Sequence, residues 1–188
     1  MNILTDTLPE ELDICGKTYH IKSDFKTWIK FSQIVFSGEI DYKKLAKALR
    51  LVLDELPPGL EETVNAVMNF YNPPKKQSKA QKSKNQKRVY DFDYDAELIY
   101  SAFLQQYKID LTTAELHWWQ FKALLDCLTD ETNFIKVVGY RSINLSEIKN
   151  KEQKKFYREM KELHKLPDNR TEEQKEADFV SGFLDSFI

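Results

Sequence analysis

Residues Tyr90–Phe121 have the sequence YDFDYDAELIYSAFLQQYKIDLTTAELHWWQF, and they hold nine of the chain's 24 aromatic residues in about a sixth of its length. Apolar side chains follow one another at spacings of 3, 1, 3, 1 and 3 from Ala96 to Tyr107, which is typical of a helix with one buried face. Asp91 or Asp93 is a suitable N-cap for this helix. No catalytic motif accompanies the stretch. It therefore predicts two adjoining helices that pack through aromatic side chains.

The second of these helices is expected to be central. Thr112 and Glu115 have the spacing of a capping box, which places its start at Thr112. Apolar residues then fall on two faces, Ala114, Trp118, Phe121, Leu125 and Leu128 on one and Leu116, Trp119, Ala123 and Cys127 on the other. A helix that is apolar on two faces is buried between neighbours.

The residues before this stretch predict a small β-hairpin and three helices. Two short alternating runs around Gly16 indicate the hairpin. Ser23 is the expected N-cap of a helix over 24–37, and Asp41 that of a second helix ending at Pro57-Pro58. The apolar faces of the second and third helices are expected to be Tyr42, Leu45, Ala46, Leu49, Val52, Leu53 and Leu56, and Leu60, Val64, Val67, Met68 and Tyr71.

Three more helical segments are predicted after the aromatic stretch. The first ends near Gly139, and the second is a highly charged helix within 144–166 whose narrow apolar stripe is Phe156, Met160 and Leu163. The last begins at Thr171 and carries Phe179, Val180, Phe183, Leu184, Phe187 and Ile188. The expected fold class is therefore mainly α, a helical bundle-like protein with a small N-terminal β-hairpin.

The segment 75–88 divides the chain into an N-terminal part, 1–74, and a C-terminal helical part, 89–188. It contains seven of the 28 basic residues and no acidic residue, although the net charge of the whole chain is −2. It lacks apolar periodicity, so it is expected to be a flexible tether or a long loop. The composition leaves open whether the two parts share one core.

The chain carries no pattern that predicts an enzyme, a metal site or a cofactor site. It has only five glycines and no GxGxxG, GxxxxGK[ST], HExxH or GxSxG sequence. His20, His117 and His164 are expected on three separate elements, without ligand spacing. The acidic residues of 91–95 lack the glycine and the terminal glutamate of a calcium loop, so they are expected to stabilise a helix start.

The two cysteines and the hydropathy of the chain indicate the expected cellular location. Cys15 and Cys127 are too isolated for a disulfide framework, and they are expected to be small packing residues. No apolar run approaches the roughly 18 residues needed to span a bilayer, and the first residues lack the pattern of a signal peptide. The expected location is a cytoplasm.

Several segments are candidates for binding a partner. The basic run Lys75–Arg88 has the charge to contact nucleic acid, but it lacks aromatic residues for stacking and favours a solvated linker. His117-Trp118-Trp119 has the chemistry of a ligand platform, although core packing is the stronger interpretation. The aromatic segment 177–188 either closes the core or docks on a partner helix.

Four segments of the sequence resemble the bacteriophage gene-product-fifteen family, which is found in tailed phages and prophages of Gram-positive bacteria. They are DFKTWIKF, DFDYDAELIYSAFLQQYKIDL, LHWWQFKALLDCL and VGYRSINL, and the resemblance covers roughly residues 5–167. Genes of this family usually lie beside the gene of the tape-measure protein. That position is associated with tail assembly chaperones.

The resemblance implies a tail morphogenesis protein that acts in the host bacterial cytoplasm. It would bind the tape-measure protein, help tail-tube subunits to assemble around it, and possess no catalytic activity or cofactor. Candidate partner contacts are Phe179, Phe183, Phe187, Trp28 and Trp119. The alternatives are a structural protein of the virion and, less favoured, a nucleic-acid-binding module that uses the basic linker; homo-oligomers are compatible with each.

Overall fold

A computed structural model describes residues 2–36, 38, 40–73 and 89–167. This part of the chain is mainly α-helical and confirms the predicted fold class, including the N-terminal hairpin. Its elements are β1 (Glu11–Ile14), β2 (Lys17–His20), α1 (Phe25–Val35), α2 (Tyr42–Val52), α3 (Leu60–Tyr71), α4 (Ala96–Tyr107), α5 (Trp118–Asp126), α6 (Asn133–Ser142) and α7 (Lys151–Leu163). The basic segment 75–88 and the predicted last helix lie outside the described residues.

The hairpin has a two-residue turn. Ile14 pairs with Lys17, so Cys15 and Gly16 form the turn, and their φ values of 52° and 77° are both left-handed. Positive φ at both central residues is the signature of the type I′ turn, whose twist matches that of the strands. Ile14 and Tyr19 are buried, which anchors the hairpin to the helices.

Aspartates start the first two helices. Asp24 caps α1, where its side chain accepts a hydrogen bond from the Thr27 amide at 2.9 Å, so the prediction of Ser23 as the cap is wrong. Asp41 caps α2 as predicted, accepting from the Lys44 amide at 2.7 Å. Both aspartates satisfy a backbone donor that the helix itself leaves without a partner.

Helix α5 starts at Trp118, later than the predicted start at Thr112. Thr112 cannot cap a helix because its amide and its hydroxyl both donate to Asp110 Oδ1, at 2.9 and 2.6 Å. The capping residue is His117, whose Nδ1 accepts from the Trp119 amide while the Gln120 side chain accepts from the His117 amide. The capping box exists, but its members are His117 and Gln120.

A column of five stacked aromatic rings forms the centre of the core. In order along the column the rings are Phe70, Trp28, Trp118, Phe121 and Phe103, with centroids 4.9, 6.2, 5.8 and 5.1 Å apart. Each residue is at most 2% exposed. Since the rings come from α3, α1, α5 and α4, residues on both sides of the segment 75–88 pack in one hydrophobic cluster.

Two predicted apolar faces are rotated relative to the observed ones. In α3 the buried residues are Thr63, Val67 and Phe70, whereas Leu60 is exposed. In α2 they are Ala48, Leu49 and Val52, whereas Tyr42 is exposed. The buried face of each helix is therefore rotated from the predicted one, and a large apolar side chain at the start of each helix lies at the surface.

A buried ion pair joins the start of α4 to the end of α6. The Asp95 and Arg141 side chains are 1% and 6% exposed, and Arg141 donates two hydrogen bonds to the carboxylate at 2.6 and 2.8 Å. Arg141 also donates to the carbonyls of Val89 and His164. Asp95 lies at the N-cap position of α4, so an acid does stand at this helix start as predicted, but the N-cap is Asp95 and not Asp91 or Asp93, and its side chain makes no capping bond. The guanidinium group of Arg141 therefore joins α6 to three other segments, which contain Val89, Asp95 and His164.

Replacing Asp95 with Asn would leave the buried guanidinium group of Arg141 without a counter-charge. We expect the free energy of unfolding, measured by urea titration with circular dichroism, to fall by about 3–5 kcal/mol. The double variant Asp95→Leu/Arg141→Met removes both charges and should lose less than Asp95→Asn alone. Asp93→Asn, an exposed change in the same turn, should stay within about 0.5 kcal/mol of wild type. A double variant that loses as much stability as Asp95→Asn, or more, would contradict this account.

Candidate partner-binding groove

An open groove of about 550 Å³ lies along the outer side of α2. Its lining residues come from α1, α2 and the segment that follows α2: Ile34, Tyr42, Lys43, Ala46, Lys47, Arg50, Leu51 and Leu56. Five of these side chains are apolar or aromatic and three are basic. We name this surface the α2 groove; it has an apolar floor and a cationic edge.

The cationic edge follows from the sequence of α2, YKKLAKALRLV. Lys43, Lys47 and Arg50 are spaced by four and three residues, so they line one side of the helix. The helix contains no acidic residue. Within the described residues, no ion pair involves Lys43, Lys47 or Arg50.

The two acidic residues that follow α2 are bound to the hairpin instead. Asp54 lies 3.0 Å from Nδ1 of His20 and 3.7 Å from Nζ of Lys22. Glu55 lies 2.7 Å from Nζ of Lys17. These contacts direct both carboxylates to β2 and its flank, and the edge of the α2 groove keeps its positive charge.

Large apolar side chains reach the surface at the α2 groove and again on α7. Tyr42 and Leu56 in the groove are 73% and 39% exposed. On α7, Phe156 and Leu163 are 49% and 67% exposed, although the sequence predicted that they form a packing stripe. In the α2 groove the exposed apolar residues line one surface, and apolar surface of this kind is typical of protein–protein contact sites.

The predicted partner contacts occupy different environments. Trp28 is fully buried in the aromatic column, where its indole N–H donates to the Lys22 carbonyl at 2.7 Å, so it presents no surface to a partner. Trp119 is half-buried, and its indole N–H donates to the Phe70 carbonyl at 2.7 Å. Phe179, Phe183 and Phe187 lie outside the described residues. Of the two predicted contacts that the structure describes, neither Trp28 nor Trp119 lines the α2 groove.

The histidines have structural contacts. His20 is beside Asp54, the ring of His164 stacks on that of Tyr140 with centroids 5.7 Å apart, and His117 caps α5. In the described ranges no cluster of three or more histidine, cysteine or acidic residues has the arrangement of a metal site. The contacts of the three histidines therefore give them structural roles.

The two thiols are exposed. Cys15 lies in the hairpin turn, where its Sγ donates to the Pro58 carbonyl at 3.4 Å, and Cys127 follows the end of α5. The prediction that both are small packing residues is wrong, because the turn and the helix end direct their side chains to solvent. Both are free thiols.

His117 combines capping with a second hydrogen bond. Because its Nδ1 accepts from the Trp119 amide, the proton of the neutral ring is on Nε2, which donates to the Pro9 carbonyl at 3.0 Å. Burial lowers the pKa of His117, and the contacts with Pro9 and Glu10 oppose that shift. A protonated ring would lose the capping bond, so the fold favours the neutral form.

The lowered pKa of His117 predicts a pH-dependent stability. Below about pH 6.5 the unfolded chain binds a proton that the folded chain resists, so the free energy of unfolding should fall as the pH falls. His117→Asn keeps a side-chain acceptor at the N-cap and removes the titration. Urea titrations at pH 7.5 and 5.0 should show a larger loss of stability for wild type than for this variant. If wild type and His117→Asn lose the same free energy of unfolding between pH 7.5 and 5.0, His117 is excluded as the source of the pH dependence.

In the described residues, every helix is too short or too polar to cross a lipid bilayer.

The fold and its surface define a mainly α-helical protein whose groove has an apolar floor and a cationic edge. The family described as Bacteriophage Gp15 protein matches residues 4–166, and the chain belongs to that family. This confirms the resemblance and indicates a role in phage structure or morphogenesis. No curated protein and no solved structure is a significant match for the chain.

Proposed function

We propose that this protein is a tail assembly chaperone that binds the tape-measure protein during phage tail morphogenesis. It would act in the host cytoplasm, without catalysis or a cofactor. Membership of the phage family supports the morphogenetic role. The observation that carries the binding role is the apolar floor of the α2 groove, which leaves Tyr42 73% exposed in a folded chain.

The volume and lining of the α2 groove suit a few side chains from one face of a helix. A helix that lies in a groove inserts side chains at positions i, i+3, i+4 and i+7. A volume of about 550 Å³ accommodates a few such side chains. A long helical partner would expose many faces of this kind before tail-tube subunits cover them. Occupying one face after another would keep the partner from aggregating.

The apolar floor also separates this proposal from nucleic-acid binding. A phosphate backbone would engage Lys43, Lys47 and Arg50, but it would leave Ala46 and Leu56 on the floor without apolar contact. A helix with apolar and acidic side chains engages both parts of the surface. The groove therefore supports a protein partner more strongly than a polyanion.

Co-expression with the tape-measure protein of the same phage genome tests the proposal. We expect a soluble complex by size-exclusion chromatography with light scattering, from a partner that precipitates when expressed alone. Tyr42→Ser/Leu56→Ser removes apolar surface from the α2 groove and should abolish this solubilisation, with the helical circular dichroism unchanged. The matched control Leu4→Ser/Leu104→Ser changes two exposed leucines outside the groove and should retain it.

Two results would contradict the chaperone role. One is a tape-measure protein that remains insoluble while this protein elutes alone. The other is stoichiometric recovery of this protein from purified virions, since an assembly chaperone leaves the finished particle. The second result would support the alternative of a structural tail protein.

A further inference from the structure

Helix α7 carries an apolar ridge that lies at the surface of the described part of the chain. The helix packs on α6, where the ring of Tyr140 stacks on that of His164. This contact buries no residue of α7. Phe156 and Leu163 remain 49% and 67% exposed, and their spacing of seven residues places them on one side of the helix. The ridge is therefore available to a further partner.

Two glutamates border this ridge. Glu152 precedes Phe156 by four residues, and Glu159 precedes Leu163 by four, so the four side chains follow one side of α7. Within the described residues, no ion pair involves Glu152 or Glu159. We name these four residues the α7 edge; it is an apolar ridge with an acidic border.

The α2 groove has the complementary chemistry, an apolar floor and a cationic edge. Glu152 and Glu159 are seven residues apart in α7. Lys43 and Arg50 are separated by the same number of residues in α2, so each pair of charges spans about 10.5 Å along its helix. One register therefore brings each glutamate to a basic residue while the apolar ridge faces the floor. Opposite charges in matched positions select a partner and its register.

The α7 edge and the α2 groove can meet only between two chains. In one chain α2 packs on α1, whereas α7 packs on α6. Tyr42 in the groove and Leu163 on the edge are 73% and 67% exposed, although a contact between the two surfaces would cover both side chains. The chain that supplies the edge is therefore a second copy.

Other partners fit the α7 edge less well. An anionic lipid surface would meet the two glutamates of the edge, because Lys151, Lys154 and Arg158 lie on the opposite side of α7. The groove at the start of α4 is lined by Asp93 and Glu97, which repel the acidic border. The α2 groove matches the edge in both polarity and charge.

We propose that the α7 edge of one chain docks in the α2 groove of a second copy of the same chain. Phe156 and Leu163 contact the apolar floor, and the two glutamates lie along the cationic edge. Since each chain carries both surfaces, a two-fold pair can make the contact twice. A partner helix for the groove must then displace the second copy. The inference rests on these two surfaces and does not depend on the proposed function.

Charge reversal on either surface tests this contact. Sedimentation equilibrium and light scattering of the full-length chain should show reversible self-association. Glu152→Lys/Glu159→Lys, the edge variant, and Lys43→Glu/Arg50→Glu, the groove variant, should each raise the dissociation constant at least tenfold. Circular dichroism verifies that both variants are folded.

The matched control is Glu115→Lys/Glu131→Lys. It makes the same change in net charge as the edge variant, at two exposed acidic residues that belong to neither surface. Its dissociation constant should equal that of wild type. An increase as large as that of the edge variant would show that net charge alone governs association, and it would overturn the proposal.

A mixture of the edge variant and the groove variant gives the most specific result. The cationic groove of the edge variant fits the unchanged acidic border of the groove variant, and the reversed edge fits the reversed groove. The mixture should therefore associate more tightly than either variant alone. A mixture that stays as single chains would overturn the proposal, and so would a wild-type protein that remains a single chain at sub-millimolar concentration.

Discussion

The structure depends on the hydrogen bonds that the carbonyl groups at the end of α3 accept. The last carbonyls of a helix have no partner within it, and burying them unpaired costs free energy. Here the indole N–H groups of Trp118 and Trp119 donate to the carbonyls of Tyr71 and Phe70 at 2.9 and 2.7 Å, and Lys122 donates to Tyr71 as well. Helix α5 thus caps a helix that precedes the segment 75–88. The same contact brings Trp118 into the aromatic column, so the two parts of the chain form one core.

Features with a local signal could be predicted from the sequence. The number and order of the helices over the described residues follow from apolar periodicity, and Pro57-Pro58 separates α2 from α3. Gly16 marks the hairpin turn because it adopts positive φ without strain. Asp41 was identified because an aspartate directly before an apolar periodic run is a strong capping signal. Neighbours within one or two turns determine each of these features.

Features that depend on distant residues were missed. Asp95 and Arg141 are separated by 46 residues, and no local pattern indicates their pairing. The start of α5 depends on Asp110 holding Thr112 and on His117, an uncommon cap. The exposure of Tyr42 depends on which side of α2 packs against α1. The sequence does contain one signal for the groove, the row of cations in a helix without acidic residues.

Fluorine NMR of protein labelled with 5-fluorotryptophan tests the single core most directly. The chain has three tryptophans, Trp28 before the segment 75–88 and Trp118 and Trp119 after it, so each part carries its own probe. If the indole contacts with α3 join the parts into one cooperative unit, all three native resonances should disappear at the same urea concentration. Loss of the Trp28 resonance at a different concentration from the other two would show two independent cores and contradict this account.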